Sequence, residues 1–100
     1  LLTWTRDALP AVRFVLLDPF VCPHVSGRDA FVPELIERRK VVAELAKEFN
    51  AVHIPLQDIF NEAFKRAPEA HWSADGVHPT PAGHQLITDA WLKATPQLFR

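Results

Sequence analysis

The chain has 100 residues, 48% hydrophobic and 23% charged, and its eleven basic and twelve acidic side chains leave a net charge of -1. That length supports one small domain with a single core, and the composition excludes disordered and collagen-like architectures. The near-neutral balance gives no electrostatic footprint for nucleic acid or an anionic membrane, and the longest apolar run falls far short of a bilayer span, so a soluble chain without membrane insertion is expected.

Residues 2–9 read as the last turns of a helix, with Leu2, Thr5 and Leu9 on one side and Pro10 closing it. The chain opens on Leu1-Leu2-Thr3-Trp4 and has no methionine, so the expectation is a chain whose earlier part is missing. Val12 to Leu17 is a near-continuous apolar run between Pro10 and Pro19, the pattern of a buried parallel strand. The stretch 19–29 has two prolines, a glycine and no period, and reads as a loop.

A long helix is predicted over Pro33 to Phe49, its buried stripe marked by Phe31, Leu35, Val42, Leu45 and Phe49. Residues 51–56, "AVHIPL", read as a second strand. A second helix runs over 57–68, with Leu56, Phe60, Ala63, Phe64 and Ala67 inward, until Pro68 stops it. Thr80 is a natural N-cap and Pro81 a natural first helical residue for a last helix, whose Leu86, Ile87, Ala90, Trp91 and Ala94 face the core.

Strand, helix, strand, helix implies a parallel sheet with helices on both sides, an α/β architecture of three layers. Two strands alone cannot bury such a sheet, so further strands are expected upstream, and an exposed sheet edge would support oligomers. The whole of residues 1–100 is read as part of a single domain.

The chemistry gathers in "HWSADGVHPT", residues 71–80. Gly76 lets the chain turn and Pro79 biases His78 to an extended backbone, so the turn can bring the Asp75 carboxylate to the His78 imidazole. A carboxylate on one ring nitrogen fixes the tautomer and supports the charge that forms when the other nitrogen takes a proton. The alternatives are a turn aspartate beside a surface histidine, or a metal site built from His71, Asp75, His78 and His84, whose spacings match no usual ligand signature. Trp72 and Val77 are candidates for the substrate pocket, with core packing as the plainer reading of Trp72.

Outside that loop, Cys22 and His24 stand two apart in a proline-rich loop, which favours a small buried hydrophobe over a reactive pair. His53 either alternates outward or satisfies a buried hydrogen bond. A lone cysteine forms no internal disulfide and leaves the compartment open, with the cytoplasm favoured.

"SADGVHPTPAGHQLITDAW" resembles the last sequence block of the SGNH hydrolases, or GDSL esterases, and "FVLLDPF", the long helix and "AVHIPLQDIF" resemble the second half of bacterial members. The resemblance implies the flavodoxin-like α/β/α fold of that family, His78 as general base and Asp75 as its orienting acid. It implies a small-molecule ester substrate such as an acetylated sugar, a short acyl ester or a lysophospholipid, and no metal or organic cofactor. The family's nucleophilic serine and oxyanion-hole residues belong to N-terminal blocks that these 100 residues do not contain. Neither Ser73 nor Ser26 replaces them, so the chain by itself is expected to be inactive. The rival reading is an inert fragment or an assembly subunit, and after it a metal-binding module.

Overall fold

The computed structural model describes residues 1–96. In chain order the elements are α1 (Leu2–Ala8), β1 (Val15–Leu17), a 3-10 turn (Arg28–Phe31), α2 (Val32–Glu48), β2 (Val52–Ile54), α3 (Leu56–Ala63), α4 (Glu69–Trp72) and α5 (Pro81–Ala94). β1 and β2 pair in parallel, Val15 with Val52, Leu16 with His53 and Leu17 with Ile54. The long connection that parallel pairing requires is carried by α2. α2 packs on both strands, and α5 packs on β2 and α3.

Both strands are shorter than the apolar runs that predicted them. Asn50 turns the chain after α2 with a φ of 51°, and Pro55, which has no N–H, ends β2. The ladder still gains one bond at each end, Val52 N–H to the Phe14 carbonyl at 2.9 Å and Asp18 N–H to the Ile54 carbonyl at 3.0 Å. All three residues of β1 are half-buried.

The expected helices are present, with three corrections, the first being that α3 ends at Ala63 and gives way to turns before Pro68, which instead caps α4. Phe31 is 45% exposed instead of lying on the α2 stripe. It closes the tighter 3-10 turn that begins inside the predicted loop, and three residues per turn rotates it out of register with Leu35. α4 has no counterpart in the sequence pattern, because a single turn has no period to read; it brings the described α-helices to five against three or four expected. α5 matches its signals: Thr80 is extended (φ -73°, ψ 175°), its Oγ1 accepts from Gly83 N–H, and Pro81 occupies the first turn.

The core centres on Ile54, Leu56, Phe60, Ala63 and Trp72, with Leu86, Ile87, Ala90, Trp91 and Ala94 packed against it. Phe20 stacks flat on Phe60 at 4.1 Å between centroids, which draws the segment after β1 down onto α3. Gln57 holds that segment too, accepting from Val21 N–H at 2.8 Å and donating to the Val21 carbonyl at 3.1 Å. No helix among the described residues is long and apolar enough to cross a membrane.

Candidate active site

The loop between α4 and α5 is closed at its base before any reactive group is placed. Ser73 and Pro79 form an antiparallel bridge, and Thr80 N–H donates to the Trp72 carbonyl at 2.9 Å. Thr80 Oγ1 reaches the His71 carbonyl at 2.7 Å, so the residue that caps α5 also fastens α4. A Cβ on Gly83 would lie 2.3 Å from the Trp72 carbonyl oxygen, which is why the first turn of α5 can press so closely on α4.

Within this frame the chain turns at Gly76, whose φ of 92° is a region that L side chains rarely adopt. Ser73 is fully buried. Its Oγ accepts from Gly76 N–H at 2.8 Å and donates to the His78 carbonyl at 2.8 Å, so this hydroxyl pins the turn. A single hydrogen serves that bond, which leaves the 3.4 Å approach to Asp75 Oδ1 as a contact.

The turn folds the Asp75 side chain over Val77 and His78. Oδ1 accepts from Val77 N–H at 2.9 Å and His78 N–H at 2.7 Å, and Oδ2 lies 2.6 Å from His78 Nδ1. The two backbone donors, then the imidazole, hold the Asp75 carboxyl well below the usual carboxylate range. An ionised carboxylate only accepts, so Nδ1 of His78 carries the proton and, in the neutral ring, Nε2 keeps its lone pair. The His78 side chain is 82% exposed, and among the described residues Nε2 makes no hydrogen bond. Asp75 and His78, singled out by spacing, therefore meet; the arrangement is a fixed-tautomer base facing outward.

The segment after β1 braces the loop. Cys22 N–H donates to the Gly76 carbonyl at 2.8 Å, and Arg28 Nε donates to the Asp75 carbonyl at 2.9 Å. Burial pushes the Cys22 thiol up to about 11, with Glu69 and Asp75 adding to the rise, so it is inert, as its reading as a small hydrophobe expects. His24 does not join Cys22. It is exposed and faces Glu69, which accepts from its N–H at 2.9 Å and its Nδ1 at 2.7 Å and raises the imidazole's pKa.

Trp72 is buried beneath the loop, its indole N–H 3.3 Å from the Ala67 carbonyl. Val77 lines a cleft of about 210 Å³ with Phe20, Val21, Phe31, Leu35 and the Glu34–Arg38 pair. His53 satisfies a buried partner, Asp18, at 2.6 Å. Among the described residues no three His, Cys, Asp or Glu side chains converge as a metal site. The braces from Cys22 and Arg28 carry no signal in the sequence; contacts spanning 47 residues, as Arg28 to Asp75 does, leave no local pattern.

Residues 12–91 match the family of GDSL-like lipases/acylhydrolases. The chain belongs to that family. It is 31% identical over 90 residues to the acetylxylan esterase of Geobacillus stearothermophilus, covering 87% of this chain and 40% of the esterase. The fold superposes with a TM-score of 0.89 on a Parabacteroides merdae protein described as a GDSL-like lipase, at 37% identity, over 95% of this chain and 44% of that one. It also superposes on the crystal structure of the Geobacillus acetylxylan esterase, with a TM-score of 0.75 and 28% identity, over 92% and 42% of the two chains. This GDSL family member thus spans less than half the length of these relatives, and its parallel pair and helices correspond to part of their α/β fold. Alanine variants of the Geobacillus esterase at a serine and at a histidine are described as catalytic mutants.

Proposed function

We propose that this chain carries the aspartate–histidine part of a serine ester hydrolase that cleaves acetyl or short acyl esters, acetylated sugars first among them. The observation that carries the reading is the 2.6 Å contact of Asp75 with His78 Nδ1 beside an outward, unbonded Nε2. Esterase relatives, one of them an acetylxylan esterase, support the reaction class. Short acyl esters and lysophospholipids are the alternative substrates.

In this reading the nucleophilic serine comes from polypeptide outside these 100 residues. Its Oγ attacks the ester carbonyl as His78 Nε2 takes the hydroxyl proton, and Asp75 stabilises the imidazolium that results. The tetrahedral intermediate collapses to an acyl-enzyme when His78 gives that proton to the leaving alkoxide. Water then attacks the acyl group, losing its proton to His78, and the serine is released when His78 returns it. Val77 forms part of the wall of the adjoining cleft, and Trp72 supports the loop from below.

The test compares two proteins. The chain joined to its preceding polypeptide is expected to release acetate from acetylated xylooligosaccharides and to hydrolyse p-nitrophenyl acetate, with His78→Ala lowering kcat by roughly 10⁶-fold. The 100-residue chain alone is expected to be inert. Hydrolysis by the short chain that vanished in His78→Ala would refute the external nucleophile, and full activity of His78→Ala in the longer protein would refute the dyad.

A further inference from the structure

Asp75 has its chemistry at one end and its backbone at the other, and the backbone end is held by a side chain from a distant part of the chain. Arg28 opens the 3-10 turn, is half-buried, and donates from Nε to the Asp75 carbonyl oxygen at 2.9 Å. That oxygen belongs to the peptide linking Asp75 to Gly76, whose N–H is held by Ser73 Oγ at 2.8 Å. The next peptide is held through the Gly76 carbonyl by Cys22 N–H at 2.8 Å.

The fit between Arg28 and the turn is steric as well as polar. A Cβ at Gly76 would stand 2.4 Å from Arg28 Cγ, so the arginine stem lies in the space that glycine leaves open. The guanidinium lies 5.2 Å from the centre of the Phe31 ring, inside its own turn, which limits where Nε can point. The peptide it grips sits between the Asp75 carboxylate and the two N–H groups that carboxylate binds. Rotation of that peptide would swing Asp75 away from Val77 N–H, His78 N–H and Nδ1 together.

We infer that Arg28 is a positioning residue for the Asp75–His78 pair, acting through the Asp75 carbonyl and touching neither the imidazole nor the substrate. The inference rests on the proposed role of that pair, but what it claims is a coupling between three residues. Lysine cannot replace it, because an ammonium on a longer, unforked stem does not put a donor where Nε sits.

The experiment is proton NMR of the 100-residue chain and of its Arg28→Met and Arg28→Lys variants. Methionine keeps most of the stem and removes the donor; lysine keeps the charge. The His78 Nδ1 proton is expected downfield of the backbone amides in the parent chain, read at low temperature where its exchange with solvent is slow enough to observe. Both variants are expected to lose or broaden it while the amide resonances of α2 and α5 stay in place. An unchanged Nδ1 resonance in either folded variant would overturn the inference. So would collapse of the α2 and α5 resonances in Arg28→Met, which would make Arg28 a general stabiliser. The signal is read without substrate, so absence of esterase activity in the longer protein would sink the proposed reaction and leave this result standing.

Discussion

Asp75–His78 and Asp18–His53 both close at 2.6 Å, the first through Nδ1 of an imidazole 82% exposed, the second through Nε2 of one 30% exposed. Asp75 commits its other oxygen to two backbone N–H groups of its own turn. Asp18 is buried at the end of β1 and turns its other oxygen to Arg39 Nε at 3.0 Å, while Arg39 reaches on to Asp58 at 3.0 Å. The second pair thus ties both strands to α2 and α3, with the Arg39 guanidinium set between the two carboxylates. Distance alone does not distinguish the pair proposed as catalytic from the structural one. What separates the two is where the unbonded imidazole nitrogen faces and whether the carboxylate's charge is already neutralised by a neighbouring cation.

The sharpest way to break this contrast is kinetic. In the proposed longer protein, His53→Ala is expected to change kcat by less than about tenfold, against a loss of about six orders of magnitude for His78→Ala. Comparable losses in two folded variants, measured as initial rates on p-nitrophenyl acetate, would erase the distinction. Stability should order the aspartates the other way. Asp18→Ala leaves Arg39 and His53 without their buried partner and is expected to cost about 3 kcal/mol in urea unfolding, whereas Asp75→Ala, at an exposed turn, should move the midpoint less.

The smallest effect is one of pH. The Asp75 carboxyl titrates lower in the folded loop than in the unfolded chain, so its contribution is complete above the ordinary carboxylate pKa of about 3.9 and fades as pH falls through the folded value. Exchange of the Val77 and His78 amides, corrected for intrinsic rates, should therefore accelerate relative to α5 as the solution is acidified below about pH 4. Equal protection at low and neutral pH would show that the Asp75 carboxylate does not hold the turn.

Much of this was legible in the sequence because it is local. Thr80-Pro81 announces α5 through backbone sterics that act within two residues, and the short spacing from Asp75 to His78 across Gly76 needs only a turn to close. The apolar runs at 12–17 and 51–56 reveal strands but not their length, because pairing stops where Asn50 and Pro55 stop the partner. Arg28, Cys22 and Gln57 were beyond reach for another reason. Their partners lie 47, 54 and 36 residues away along the chain, and an arginine, a cysteine or a glutamine in isolation has no period to betray it. Arg39 illustrates the same limit, since a charged residue at an inward helical position is intelligible only once Asp18 is beneath it.

Cys22 also reports on the loop it braces. The chain's single thiol is fully buried, is pushed up to about 11, and sits on the residue whose amide holds Gly76. At pH 7 roughly one such thiol in ten thousand is ionised, so an alkylating reagent is nearly blind to the closed form. Labelling therefore requires an opening that uncovers Cys22, whose amide holds the Gly76 carbonyl. The protein carries its own reporter, and slow thiol capture follows the population in which the segment bracing the Asp75 turn is open.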